Sequence, residues 1–205
     1  MMPKRWRFQV AELVLASGSP RRSAMLTDLD VDFVVVPADV DESALSGESA
    51  VDYVRRVAKL KAQTVRALRP SYVVLSADTT VDRDGEILAK PVDADDAFAM
   101  LRSLSGREHL THTAVCVASK DSLETALVST AVTFRSLSDE EIGWYVGTGE
   151  PLDKAGAYGI QGRAAGFVSA ISGSVSNVVG LPLAETIELL RAVGVTVAGS
   201  TEHLG

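Results

Sequence analysis

Cysteine occurs once in the 205 residues, at Cys116, which excludes an internal disulfide and any cysteine-based zinc site. Histidine is nearly as scarce. His109, His112 and His203 show neither the H-E-x-x-H pattern nor another zinc spacing; the first two can share an edge near a strand start, but no metal role is expected of them. Long apolar runs are missing as well. No stretch approaches the roughly 20 residues that a membrane helix needs. The opening segment MMPKRWRFQVAELVLASGSP has early basic charge, but Glu12 and a strand-like alternation stand where a signal peptide would have its apolar run. A soluble, cytoplasmic protein is the expectation. Positive charge is in deficit, with 20 Lys and Arg against 27 Asp and Glu and a formal net charge of -7. That balance speaks against a bulk electrostatic grip on nucleic acid. A protein of this charge that handles a polyanion must gather its cations locally. Internal repeats, low-complexity tracts and long linkers are also absent.

What is present suits one α/β domain, or one domain with two lobes around a cleft: a chain of 205 residues, 46% of them hydrophobic. Residues Ala11 to Ala16 read as a mostly buried strand, broken at Ser17-Gly18-Ser19-Pro20. Helical spacing follows over Arg21 to Leu29, with Ser19 as N-cap and Pro20 where a missing N–H costs nothing. Val31 to Val36 is a second strand and Asp39-Val40-Asp41-Glu42 an acidic loop. Ala50 to Leu68 is a helix with Val54, Val57, Ala58 and Lys61 in register, and Ser71 to Ala77 a central strand running into Asp78-Thr79-Thr80-Val81. A hairpin-type turn at residues 82–86 and an amphipathic helix marked by Ala97, Met100, Leu101 and Leu104 come next. Strands are expected at His112–Ala118 and Val128–Phe134, and a capping box of Ser138 and Glu141 opens a helix through Val146. Gly149 to Gly162 reads as a functional loop, Gly166 to Ile171 as a strand and Leu183 to Val193 as a closing helix. Strands and helices interleave, which argues α/β.

Four places carry possible chemistry. Ser17-Gly18-Ser19-Pro20-Arg21-Arg22 joins a strand to a helix start, where free N–H groups, hydroxyls and guanidiniums suit phosphate oxygens. An ordinary capped helix with solvated arginines fits the same residues equally well. Asp78, expected at the carboxyl end of a buried strand, can hold a divalent metal or take a proton from water, or merely cap a turn. Asp39 is a second carboxylate able to complete a metal site, although acidic loops are usually just solvated. Lys61 and Lys90 are separated point charges of the kind phosphate sites use. In Asp153 to Gly162, small residues permit tight turns and Gln161 offers both a donor and an acceptor.

Taken in order, Leu15-Ala16-Ser17-Gly18-Ser19-Pro20-Arg21-Arg22, Ala77-Asp78-Thr79-Thr80-Val81, Lys90-Pro91, Leu104-Ser105-Gly106-Arg107, Asp153 through Gly162 and Val179-Gly180-Leu181-Pro182 resemble the Maf family. The likeness runs from about residue 12 to residue 193, nearly the whole chain. It implies one catalytic domain over 1–205, with two lobes around a long, curved mixed β-sheet, flanking helices and an inosine-triphosphate-pyrophosphatase-like fold. It also implies cleavage of a nucleoside triphosphate between the α- and β-phosphates with a divalent metal, Mg or Mn. By that resemblance Asp78 matches the proton acceptor, Arg21, Thr79 and Gln161 match specificity positions, and Ser17, Lys61 and Lys90 match residues lining the triphosphate cleft. Ser19 and Arg22 belong with the phosphate-binding residues. The metal falls to Asp78 and Asp39, where Asp39 replaces the family's usual Glu. Ala89 stands for a common Gly.

The Pro-Arg-Arg, Asp-Thr and Ile-Gln-Gly patterns resemble the dTTP/UTP pyrophosphatase subgroup, whereas the 7-methyl-GTP subgroup tends to have Pro-Trp-Arg, Asp-Gln and a Glu for Gln161. The expected activity is therefore hydrolysis of dTTP and UTP, and of modified pyrimidine triphosphates. The alternatives are a pyrophosphatase for 7-methyl-GTP or a deaminated purine triphosphate, and a non-catalytic regulator of division or septum formation. A homodimer is the assembly that the resemblance suggests.

Overall fold

The computed structural model describes residues 12–197. Ala11, the first residue of the expected opening strand, and His203 lie outside them. Seven strands form one mixed sheet in the order β2-β1-β3-β5-β6-β7, with β4 pairing β3 off that path. β1 (Leu13–Leu15) runs parallel to β2 (Phe33–Val35) and to β3 (Val73–Arg83), through the helices α1 (Pro20–Thr27) and α2 (Ala50–Leu68). β4 (Glu86–Leu88) and β5 (Glu108–Ala118) each pair antiparallel with β3, as do β6 (Leu123–Phe134) with β5 and β7 (Val168–Ser172) with β6. The sequence-based α/β expectation is met by this mixed sheet with flanking helices.

Alternation decides the layers. Leu13 and Leu15 of β1 pack with Leu26, Leu181 and Leu190 on the face of α1 and α6 (Leu183–Ala192). Val14 and Ala16 point the other way, onto Val54, Val57, Ala58, Ala62 and Val65 of α2. Both faces are covered, so the strand reads as a continuous apolar run. A third cluster gathers α3 (Ala94–Leu104) and α4 (Asp139–Val146) with Val81, Val132, Phe134 and Tyr158. Among the described residues no helix is long and apolar enough to cross a membrane.

The caps account for most helix starts. Ser49 accepts the Asp52 N–H at 3.1 Å and Asp93 accepts the Asp96 N–H at 2.9 Å. Ser138 and Glu141 form both bonds of the expected capping box, at 3.2 and 3.0 Å. Ser19 occupies the N-cap of α1 and Pro20 its first turn, but the Ser19 hydroxyl makes no cap bond. Instead Ser17 Oγ accepts the Ser19 N–H at 3.2 Å. Asp84 and Gly85, at φ 55° and 88°, make the two-residue turn between β3 and β4, the left-handed pair that a tight hairpin demands.

Other boundaries move. β5 and β6 begin at Glu108 and Leu123 rather than His112 and Val128, because pairing from Glu108↔Thr133 to Ala118↔Leu123 carries polar residues that have weak strand preference by themselves. The segment 149–167 contains short 3-10 turns at Glu150–Asp153, Ala155–Ala157 and Arg163–Phe167. β7 therefore starts at Val168, and α5 (Val175–Val179) follows it without having been expected.

Candidate active site

β3 is paired along one edge with β5 from residue 74 to 82. Its other edge meets β1 only at residues 73–75 and β4 only at 81–83. Among the described residues no strand covers that edge between 76 and 80. Into the gap opens a cleft of about 920 Å³, within the range for small-molecule sites. Asp78 thus sits in mid-strand. The expected strand end at Ala77 is corrected, because pairing with β5 carries the strand on to Arg83 after β1 has stopped.

Ser17, Ser19, Arg21, Arg22, Lys61, Asp78, Thr79, Lys90 and Gln161 all line this one cleft, although the sequence scatters them over 145 positions. Asp39 does not. It is exposed and outside the lining, whereas Glu42, three residues on, lines the cleft. Asp39, expected at a metal site, thus lies away from the cleft wall, and Glu42 is the acidic-loop carboxylate that lines it. In an irregular segment no periodicity tells which carboxylate points inward.

Even-numbered residues of β3 face α2: Ser76 donates to the Ala58 carbonyl at 2.6 Å, and Asp78 Oδ1 accepts from Lys61 Nζ at 2.8 Å. Lys61 lies one turn from Val57, Ala58 and Val65 on the buried face of its helix, and its Nζ also donates to Glu42 Oε2 at 2.7 Å. One ammonium thus ties two carboxylates together. The remaining oxygen, Asp78 Oδ2, is buried and has no hydrogen-bond partner. Burial pushes the Asp78 carboxyl above its ordinary range, against the opposing pull of Lys61 and Arg22. An orphaned buried oxygen at a cleft wall is an acceptor waiting for a donor or a cation.

Among the described residues no three His, Cys, Asp or Glu side chains gather into a metal site. A Mg-type cation does not need three, since it commonly takes one or two carboxylates and completes its shell with water and substrate phosphates. Asp78 Oδ2 and Glu42 fit that pattern.

Odd-numbered Thr79 faces the other way. Buried Arg22 donates through Nε to the Gly180 carbonyl at 2.7 Å, through Nη1 to Ser17 Oγ at 3.0 Å and through Nη2 to Thr79 Oγ1 at 3.0 Å. Thr79 Oγ1 also lies 2.9 Å from Thr113 Oγ1. Arg22, expected to meet phosphate, has three of its five N–H groups spent on tying α1, β3 and the Gly180 turn together. Arg21 is more exposed and pairs with Asp153 at 3.2 Å across to the 3-10 segment. Lys90 and Gln161 are exposed on the cleft rim.

His109 and His112 have separate partners. His109 Nε2 lies 2.9 Å from the Tyr158 hydroxyl, and His112 Nδ1 lies 2.7 Å from Ser129 Oγ. Burial lowers the His109 pKa to about 4, so its ring is neutral at pH 7. Besides Glu42, Glu150 and Tyr53 also line the cleft and were not among the residues expected from the sequence. The spacing of an apolar helix face would have signalled Tyr53, four residues before Val57.

A family model described as Maf-like protein matches residues 12–193. A dTTP/UTP pyrophosphatase of Anaeromyxobacter dehalogenans is 58% identical over 186 residues, covering 89% of this chain and 94% of that protein. A relative of the same description from Methylobacillus flagellatus is 50% identical over 195 residues, covering 94% and 98%. Among solved structures, the Staphylococcus aureus Ham1 protein aligns over 62% of this chain and 72% of its own, at 19% identity and a TM-score of 0.44. With the family's model matched from β1 to beyond α6, and relatives half or more identical along nearly their whole length, this chain belongs to the Maf family.

Proposed function

We propose that this protein hydrolyses dTTP and UTP to the monophosphate and pyrophosphate in the cleft beside β3. The observation that carries the reading is Asp78: a buried carboxylate with one oxygen fixed by Lys61 and the other free. Water adds to the α-phosphorus, the bond from that phosphorus to the α–β bridging oxygen breaks, and pyrophosphate leaves with the bridging oxygen. Asp78 Oδ2 takes the water's proton or orients it. Lys61 keeps the carboxylate from rotating and holds Glu42 beside it. A divalent cation, Mg or Mn, held by Asp78 and Glu42 would supply charge neutralisation at the phosphates. Lys90 and the hydroxyls of Ser17 and Ser19 are the remaining donors for the triphosphate. Arg22 serves it indirectly, by fixing Ser17 and Thr79.

Gln161 and Arg21, at the rim, are the groups left to meet the base. A uracil or thymine edge offers carbonyl acceptors and one N–H, which a carboxamide answers from both sides. Thr79 shapes this end of the cleft through its bonds to Arg22 and Thr113. We place the enzyme in the cytoplasm, supported by the single, buried, free Cys116, and propose a homodimer.

A panel of UTP, dTTP, CTP, GTP, ITP and 7-methyl-GTP with Mg or Mn tests the reading. Pyrophosphate release, fastest with UTP and dTTP, is expected. Release of orthophosphate, or a preference for purines, would overturn it.

Gln161→Glu should lower kcat/KM for UTP by roughly ten- to a hundred-fold, since it sets a carboxylate oxygen against a base carbonyl. Activity on 7-methyl-GTP should fall less or rise, because guanine N–H groups donate to the new carboxylate. An unchanged UTP to 7-methyl-GTP ratio would leave Gln161 as a shaper of the loop only.

Lys90→Ala and Arg21→Ala should each lower kcat/KM by about ten- to a hundred-fold with a melting temperature within about 2 °C of wild type, as expected of cleft-rim rather than core residues. A large loss of melting temperature with unchanged turnover would make them structural.

A further inference from the structure

The side chain of Gln161 makes no hydrogen bond to any other described residue. No side-chain hydrogen bond therefore fixes its place over the cleft, and the backbone on both sides is held by two residues that no base or phosphate role accounts for. Tyr145, fully buried in α4, donates its hydroxyl proton to Glu150 Oε1 at 3.0 Å and accepts the Gly159 N–H on the same oxygen at 3.3 Å. The Glu150 carboxylate accepts the Arg163 N–H at 3.2 and 3.3 Å through its two oxygens. Gly159 and Arg163 bracket Ile160-Gln161-Gly162, and the bracket is closed within by the Gly162 N–H on the Gly159 carbonyl at 3.0 Å.

The glycines are fitted to the same arrangement. A Cβ at Gly162 would collide with the Glu150 carboxylate, and one at Gly159 would come within 2.6 Å of Lys154 Cε. Lys154 in turn donates from Nζ to the Glu150 backbone carbonyl at 2.7 Å. A side chain at Gly162 would thus require Glu150 to leave its seat next to Gln161.

We propose that Glu150 and Tyr145 are positioning residues for base recognition, a clamp on both ends of the segment that carries Gln161. The proposal rests on the reading that Gln161 meets the pyrimidine. Neither residue touches the reacting atoms in this account. Asp78 and Lys61 belong to a different wall, so loosening the clamp should disturb selection of the base and leave the chemical step largely intact. A misplacement of about 1 Å at a specificity group can cost up to 10²-fold, so small backbone shifts suffice.

The test uses the full chain with Tyr145→Phe, Glu150→Ala and Glu150→Gln, measuring kcat and KM for UTP and GTP together with melting temperature. Tyr145→Phe and Glu150→Ala are expected to raise KM for UTP and to reduce the UTP to GTP ratio of kcat/KM, each by about ten-fold, with kcat for UTP within about three-fold of wild type. Glu150→Gln keeps an acceptor oxygen for the Arg163 N–H and should restore part of the ratio. The double variant Tyr145→Phe with Glu150→Ala should lose little more than Glu150→Ala, since both act on one bracket. Melting temperatures that fall while KM and the ratio stay at wild-type values would overturn the clamp. Gln161→Ala separates the two readings. If it moves the UTP to GTP ratio and the clamp variants do not, only the clamp fails; if it leaves the ratio unchanged, base reading by Gln161 fails and the clamp's role falls with it.

Discussion

Asp78→Asn should lower kcat for UTP by about 10²–10⁴-fold, the usual contribution of a positioned general base, while the melting temperature in metal-free buffer stays at or above the wild-type value. The amide keeps the shape of the side chain and can still accept from Lys61 Nζ, now 2.8 Å from Oδ1. What it loses is the negative charge and basicity of Oδ2, the oxygen without a partner. The stability half of the prediction follows from the sign of the pKa shift. Burial raises the Asp78 pKa above its unfolded value despite Lys61. A group shifted upward contributes stability that is fully present below its unfolded pKa and is lost as pH rises through the folded one. Ionising the buried carboxylate is therefore a cost to the fold, and the amide cannot ionise. A variant that turns over UTP within a few-fold of wild type would remove Asp78 from the chemistry. One that unfolds many degrees earlier would make its main role structural.

Excess chelator should reduce hydrolysis by about 10³-fold or more, and Mg or Mn should restore it, because charge at the transferring phosphorus has too few cations to meet it. Asp78 and Glu42 already place two carboxylates in the cleft, with Lys61 between them as their shared counter-charge. A triphosphate entering beside them meets repulsion that Lys90 and Arg21 at the rim offset only in part. Two carboxylates also make an incomplete coordination shell, so the cation alone should raise the melting temperature by little. Cation and a non-hydrolysable UTP analogue together should raise it by more than the sum of their separate effects. Full activity in chelator, or a strong thermal shift with Mg alone, would remove this arrangement.

Helix and turn chemistry was local and therefore legible. Ser138 with Glu141 specified a capping box, Asp84-Gly85 a tight turn, and Pro20 the start of α1, each through bonds spanning three or four residues. Lys61 at a core-facing position of α2 was visible as a charge in an apolar register. The polar ends of β5 and β6 were not legible, because their strand state depends on partners across the ladder. α5 was missed for a similar reason: its five residues are anchored by buried Asn177, whose amide donates to the Thr111 carbonyl and Thr130 Oγ1 at 2.9 Å.

By itself the sequence determined the α/β class, the helix caps, the family motifs and the residue types of a phosphate-handling site, since each rests on composition, periodicity or neighbours in the chain. Only the tertiary structure decided that Glu42 and not Asp39 joins Asp78, that Arg22 is spent within the wall, and that Glu150 holds the Gln161 segment. Those outcomes turn on which way a side chain points and what meets it there. Asp78 shows the reason most plainly. The strand that carries it is common in kind, and it becomes a site only because β1 stops at Leu15, β4 begins its pairing at Val81, and the uncovered edge between them opens onto a lysine brought in by another element.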